Sequence, residues 1–167
     1  MQSFDTRITR RIQKIGSPTM DFWWLVARFG LYLYAAIVFG VAYFIAAKHR
    51  VIIILIPVIV TMIVTILLQQ LIRRQRPSIT KTTYDLWLST FSFPSAHSSV
   101  SFAFATSLSI LFLNSSLAFS WVYVVAFFLL AICIALSRII VGVHYFYDVL
   151  VGCLLGASFS IILLSVG

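Results

Sequence analysis

Long apolar runs broken by short polar strings set the pattern of this chain. Residues 22–47 are apolar except for Arg28, and 51–72 follow without a charge. Residues 98–113, 117–136 and 145–166 repeat the theme, the last carrying one carboxylate, Asp148. Spanning a hydrocarbon layer takes about 20 apolar residues in a helix, so the pattern predicts five crossings. The connections are then a tight turn at 48–50, a long polar loop at 73–93, a turn at 114–116 and a bridge at 137–144. Pro57 predicts a kink in the second span. Residues 1–16 have a different period. Phe4, Ile8, Ile12 and Ile15 share one side of a helix, and Arg7, Arg10, Arg11 and Lys14 cover the other. That is either a helix lying in the membrane interface or a frayed basic tail. Ser17, Pro18 and Asp21 supply the start signals of the first span. The expected fold is an all-α polytopic membrane bundle, one domain over 1–167 with an interfacial segment at 1–21.

Composition agrees. Hydrophobic residues make up 62% of the chain and charged ones only 10%, with a mean hydropathy of +1.07. A soluble domain carries roughly a quarter charged residues, so this is an integral membrane protein. The net charge of +8 does not signal nucleic acid, because the basic residues flank apolar runs, where they contact lipid headgroups and fix topology. Cys133 and Cys153 lie inside apolar runs and read as small hydrophobes. There is no Glu, and the four Asp are scattered at 5, 21, 85 and 148, a poor supply for a carboxylate-bridged metal. No cofactor is called for. No cleavable signal peptide is evident in the first apolar run.

Five crossings put residues 73–97 and 137–148 on the same side as the N-terminus. Three polar strings therefore meet at one membrane face: Arg76-Pro77, Pro94-Ser95-Ala96-His97, and Ser137-Arg138 with His144 and Asp148. Ionisable side chains at the rim of a membrane bundle are costly and mark a site. Pro94 suits a first helical position, and Ser95, Ala96 and His97 then offer backbone N–H groups and a hydroxyl to an anion at a helix N-terminus. His97 stands at the mouth of that seat, placed to give a proton to a departing oxygen. His144 and Asp148, four apart, share a helix face, as a nucleophile and the carboxylate that orients it would. A satisfied polar pair is the plainer alternative. Arg76 and Arg138 are planar cations suited to phosphate, against the alternative of arginines snorkelling at span ends, which fits Arg73 and Arg74. Gln69, Arg73 and Arg76, at i, i+4 and i+7, form one stripe toward the same rim.

The ordered set Arg-Pro, Pro-Ser-x-His and Ser-Arg-x5-His-x3-Asp resembles the type 2 phosphatidic acid phosphatase family of membrane lipid phosphatases, whose relatives act on undecaprenyl pyrophosphate, phosphatidylglycerophosphate and lipid A. The resemblance covers about residues 69–156. It implies that His144 attacks phosphorus to form a phosphohistidine and that Asp148 orients it. It also implies that His97 protonates the leaving oxygen and later activates water, while Arg76, Arg138, Ser95 and Ala96 hold the phosphoryl oxygens without a metal. Two positions depart from the pattern. Gln69 stands where the family usually has Lys, with Arg73 the candidate replacement, and Ala96 stands where Gly is common. Many members have six spans, so this chain resembles a short form. Gly152 and Gly156 form a small-x3-small pair that either packs the catalytic helix or makes a dimer contact.

Leaving Arg76 and Arg138 aside, the site face carries Arg7, Arg10, Arg11, Lys14, Arg73, Arg74 and Lys81, against Lys48 and Arg50 on the other face. For a plasma (inner) membrane protein the positive-inside rule favours a cytoplasmic N-terminus and site, whereas the resemblance, many of whose bacterial members work on the outer face, points the other way. The expected partners are the membrane and a lipid phosphate substrate, with Lys81, Tyr84, Asp85 and Trp87 in the loop that chooses the headgroup. Beside hydrolysis stand a phosphotransferase using the same intermediate and a lipid-binding protein that has lost activity, the latter suggested by Gln69.

Overall fold

A computed structural model describes residues 2–45, 48–77, 91–114 and 118–165. The elements in order are α1 (Gln2–Gly16), a 3-10 turn (Ser17–Thr19), α2 (Met20–Ile45), α3 (Lys48–Ile72), α4 (Ala96–Leu113), α5 (Ser120–Ile140) and α6 (Phe146–Ser165). Among the described residues there is no strand, and five helices are long and apolar enough to cross a membrane. This is the polytopic helical bundle expected. Lys81, Tyr84, Asp85 and Trp87 lie outside the described residues.

α4 is the centre of the bundle. It is the least hydropathic of the five spans and the most buried, 72% of its length being shielded by protein. Lipid tails are as apolar as Leu, so hydrophobicity does not hold spans together; small residues and buried hydrogen bonds do. α4 is rich in both. Ser99 donates from its hydroxyl to the Ser95 carbonyl, Ser109 to that of Ala105, and Ser107 to the hydroxyl of Ser160 on α6. Around this axis Tyr34 and Val38 of α2, Ile54 and Val58 of α3, Phe104, Leu108 and Phe112 of α4, and Phe127 and Ile134 of α5 form the main core. Phe44, Leu71, Leu129 and Leu154 point outward as the lipid-facing surface.

α6 lies closest to α4, and its glycines make that possible. A Cβ on Gly152 would stand 2.7 Å from the Ser95 carbonyl oxygen, and one on Gly156 would collide with the Ser99 carbonyl and the Ala103 amide. The small-x3-small pair therefore packs α6 against α4 within the chain. Gly156→Ala is expected to cost about 2–3 kcal/mol by overpacking against rigid backbone, read as a lower thermal midpoint in detergent micelles.

Three boundaries differ from the sequence reading, and the end of α3 agrees with it. α3 begins at Lys48, so 48–50 are its first turn and not a tight turn. α4 begins at Ala96 with Ser95 as its N-cap, which leaves Pro94 ahead of the cap instead of inside the helix. α5 runs on to Ile140, so Ser137 and Arg138 belong to its last turn and not to a bridge. Both find partners without leaving the helix: the Ser137 hydroxyl donates to the Ile134 carbonyl, and Arg138 Nη1 donates to the Ala27 carbonyl of α2 at 2.7 Å. Lastly, α3 stops at Ile72. Arg73 takes a left-handed conformation (φ 52°) as its amide closes on the Gln69 carbonyl, a common helix ending that here falls on a non-glycine.

Candidate active site

The ending of α3 decides which arginines face the site. The stripe expected through Gln69, Arg73 and Arg76 is cut after Ile72, because the left-handed residue turns the chain. Arg73 is exposed and donates from Nε to the Gln70 carbonyl. Arg74, read as a snorkelling residue, turns inward instead. Its Nη1 donates to Asp148 Oδ1 and its Nη2 to Asp5 Oδ2, both at 2.6 Å, and its guanidinium lies 4.1 Å over the Tyr145 ring. Gln69 is buried and donates from Nε2 to the Pro94 carbonyl at 2.8 Å. It braces the approach to α4 and contributes no charge.

The second string forms the N-terminus of α4. The Ser95 hydroxyl accepts from the Ser98 amide and hydroxyl, and the Ser95 amide donates to the Asp148 carbonyl at 2.9 Å. Ser95 is thus committed to the cap and to α6. The amides of Ala96 and His97, the first two helical residues, have no acceptor within the helix and carry the positive end of its dipole. The His97 ring is buried. Arg138, His144 and Arg76 all lie near enough to act on it electrostatically.

The third string completes the cluster. After α5 the Val143 and His144 amides both donate to the Arg138 carbonyl, a tight turn that folds His144 inward. The His144 ring is buried, with Nδ1 only 2.7 Å from the Ser92 carbonyl oxygen. A carbonyl can only accept, so the neutral ring carries its proton on Nδ1 and keeps a lone pair on Nε2. Ser92 was not singled out from the sequence, and nothing in a backbone carbonyl could have marked it. Its amide and hydroxyl donate to the carbonyls of Arg74 and Gln75, which fixes that oxygen in place. Asp148 Oδ2 is 3.7 Å from His144 Nδ1, beyond hydrogen-bond distance but close enough to favour a positive ring. Burial lowers the His144 pKa from 6.5 to about 4, helped by Arg138 and Arg76 and opposed by Asp148. The ring is therefore neutral at physiological pH.

Asp148 is wholly buried and also shapes the start of α6, its Oδ2 accepting the Tyr145 amide at 2.8 Å. The next two amides are capped from outside by α1: Phe146 donates to Thr9 Oγ1 and Tyr147 to Asp5 Oδ1, both at 3.1 Å. Gln13 adds a hydrogen bond to the Ile139 carbonyl. α1 is therefore a docked helix, not a frayed tail, and it buries a largely polar face. Phe4 and Ile15 of the expected apolar stripe are exposed, and Ile12 packs against Ala135, Ile139 and Val149.

All three strings thus gather at one end of the bundle. Arg76, His97, Arg138, His144 and Asp148 form a single electrostatic cluster beside the α4 N-terminus. Two permanent cations, two helix amides and two imidazoles, one with a free lone pair, are a set able to bind a phosphoryl group and exchange it.

The sequence matches the PAP2 superfamily over residues 50–167. The crystal structure of Aquifex aeolicus LpxE superposes with a TM-score of 0.73 at 26% identity, covering 96% of this chain and 94% of that one. A transmembrane PAP2 type phosphatidylglycerolphosphate phosphatase from Bacillus subtilis superposes with a TM-score of 0.79, covering 99% of this chain and 85% of that one. Its 22% identity makes the second a likeness of fold. No curated protein matches the sequence.

Proposed function

The chain belongs to the PAP2 superfamily, and from that premise we propose that it hydrolyses a lipid phosphate or diphosphate through a phosphohistidine on His144. The observation that carries this reading is the 2.7 Å contact of His144 Nδ1 with the Ser92 carbonyl, which leaves Nε2 as the lone-pair nitrogen of a ring that feels Arg138 and Arg76.

The substrate's tail stays in the bilayer and its headgroup enters at the rim. The phosphoryl oxygens sit against Arg76, Arg138 and the amides of Ala96 and His97. His144 Nε2 attacks phosphorus, a P–N bond forms and the bond to the leaving oxygen breaks. His97 gives that oxygen its proton. The phosphorylated ring keeps its Nδ1 proton and is cationic, stabilised by the Ser92 carbonyl and by Asp148. Water then attacks as His97 takes its proton back, the P–N bond breaks and inorganic phosphate leaves. Catalysis is positioning plus electrostatic stabilisation of the equatorial oxygens, and no step calls for a metal ion.

Purified protein should release phosphate from at least one of prenyl diphosphate, phosphatidic acid, phosphatidylglycerophosphate and lipid A, in EDTA and with inhibition by vanadate. The basic residues favour a cytoplasmic site. Sealed right-side-out vesicles should therefore be silent until permeabilised. A strict requirement for a divalent cation would count against this mechanism, and full activity in sealed vesicles against the cytoplasmic face.

A further inference from the structure

The N-terminal helix reaches Asp148, and through it the reacting histidine, by an ion pair of Asp5 with Arg74 that lies outside the three motif strings. Asp5 and Asp148 are 2% and 0% exposed, and one guanidinium, that of Arg74, bridges them. Two buried carboxylates that share a partner repel one another, and the guanidinium between them offsets that repulsion. Burial opposes the charge on Arg74, but hydrogen bonds and attraction from Asp5 and Asp148 outweigh it and raise its pKa. Arg74 is thus cationic and pinned against Asp148 Oδ1. Asp5 holds Arg74 from the other side and is itself fixed by the Tyr147 amide.

We propose that Arg74, anchored by Asp5 of α1, is a positioning residue that holds Asp148 in place and aimed at His144. The inference rests on the phosphohistidine reading. Arg74 does not touch His144; it acts through Asp148, whose Oδ1 it occupies while Oδ2 faces the imidazole. With Arg74 removed, Asp148 loses the contact that fixes it against the ring, while the groups that grip the phosphoryl oxygens stay in place. The effect belongs on kcat and not on KM.

The test is a double-mutant cycle on the full-length protein in detergent, using the lipid the wild type turns over fastest. Arg74→Gln should lower kcat on the order of 100-fold with KM within about threefold, as loss of a buried partner behind a working group does. In an Asp148→Asn background the same change should cost less than about threefold, because two residues acting as one unit are not additive. Arg74→Lys should recover part of kcat, and Asp5→Asn should lower it about 10-fold. If Arg74→Gln fails to fold, as judged by its thermal midpoint, Arg74→Lys and Asp5→Asn carry the same cycle. Equal losses in the two backgrounds, or a raised KM at constant kcat, would overturn the positioning role while leaving the hydrolase reading intact. A wild type inactive on every lipid would overturn both.

Discussion

His144→Ala abolishes turnover and the phosphorylated enzyme together, with an expected loss on the order of 10⁴-fold or more, as for other covalent nucleophiles. An alkaline quench of wild type with labelled substrate should trap an acid-labile phosphoprotein that the variant lacks. The pH profile supplies a second check. A neutral imidazole is the nucleophile, and burial has lowered its pKa to about 4. The nucleophile is lost as pH falls through that value, so its acid limb in kcat/KM should lie near pH 4 and not at the ordinary histidine value. A variant retaining a tenth of wild-type activity would remove His144 from the nucleophile's role.

His97→Ala should cost about 10²–10⁴-fold on a lipid phosphate, the usual reach of a positioned general acid and base. The loss should depend on the leaving group. A lipid alcohol leaves poorly without a proton, whereas 4-nitrophenolate leaves well unaided. On 4-nitrophenyl phosphate the first step should survive and the second, which needs His97 to activate water, should stall. Phosphorylated protein should then accumulate in the variant above its wild-type level. Equal losses on both substrates with no accumulation would show that His97 only shapes the anion seat.

The spans were legible because membrane helices have a strong apolar signature, and the two crossings between His97 and Arg138 brought three distant strings to one face. What the sequence hid were contacts that only tertiary packing creates. The stripe through Gln69, Arg73 and Arg76 assumed a helix that continues past Ile72, and one left-handed residue was enough to exchange Arg73 for Arg74. Asp5 looked like a stray charge in a basic amphipathic segment, although scarcity was a usable signal: it is one of only four carboxylates in 167 residues. Its burial could not be read from periodicity, because the face α1 buries is mostly polar. Arg138 looked like a bridge residue because helices rarely bury a guanidinium. Its partner, a backbone carbonyl on α2, leaves no mark in the sequence.

The first turn of α6 is sealed by Thr9 and Asp5, residues 137 and 142 positions earlier in the chain. The ribosome makes those two side chains long before the amides they cap. Until α6 emerges, Thr9 lacks this partner and Asp5 has only Arg74 to bind. Assembly therefore closes like a clasp: the first turn of α6 is complete only when α1 docks on it.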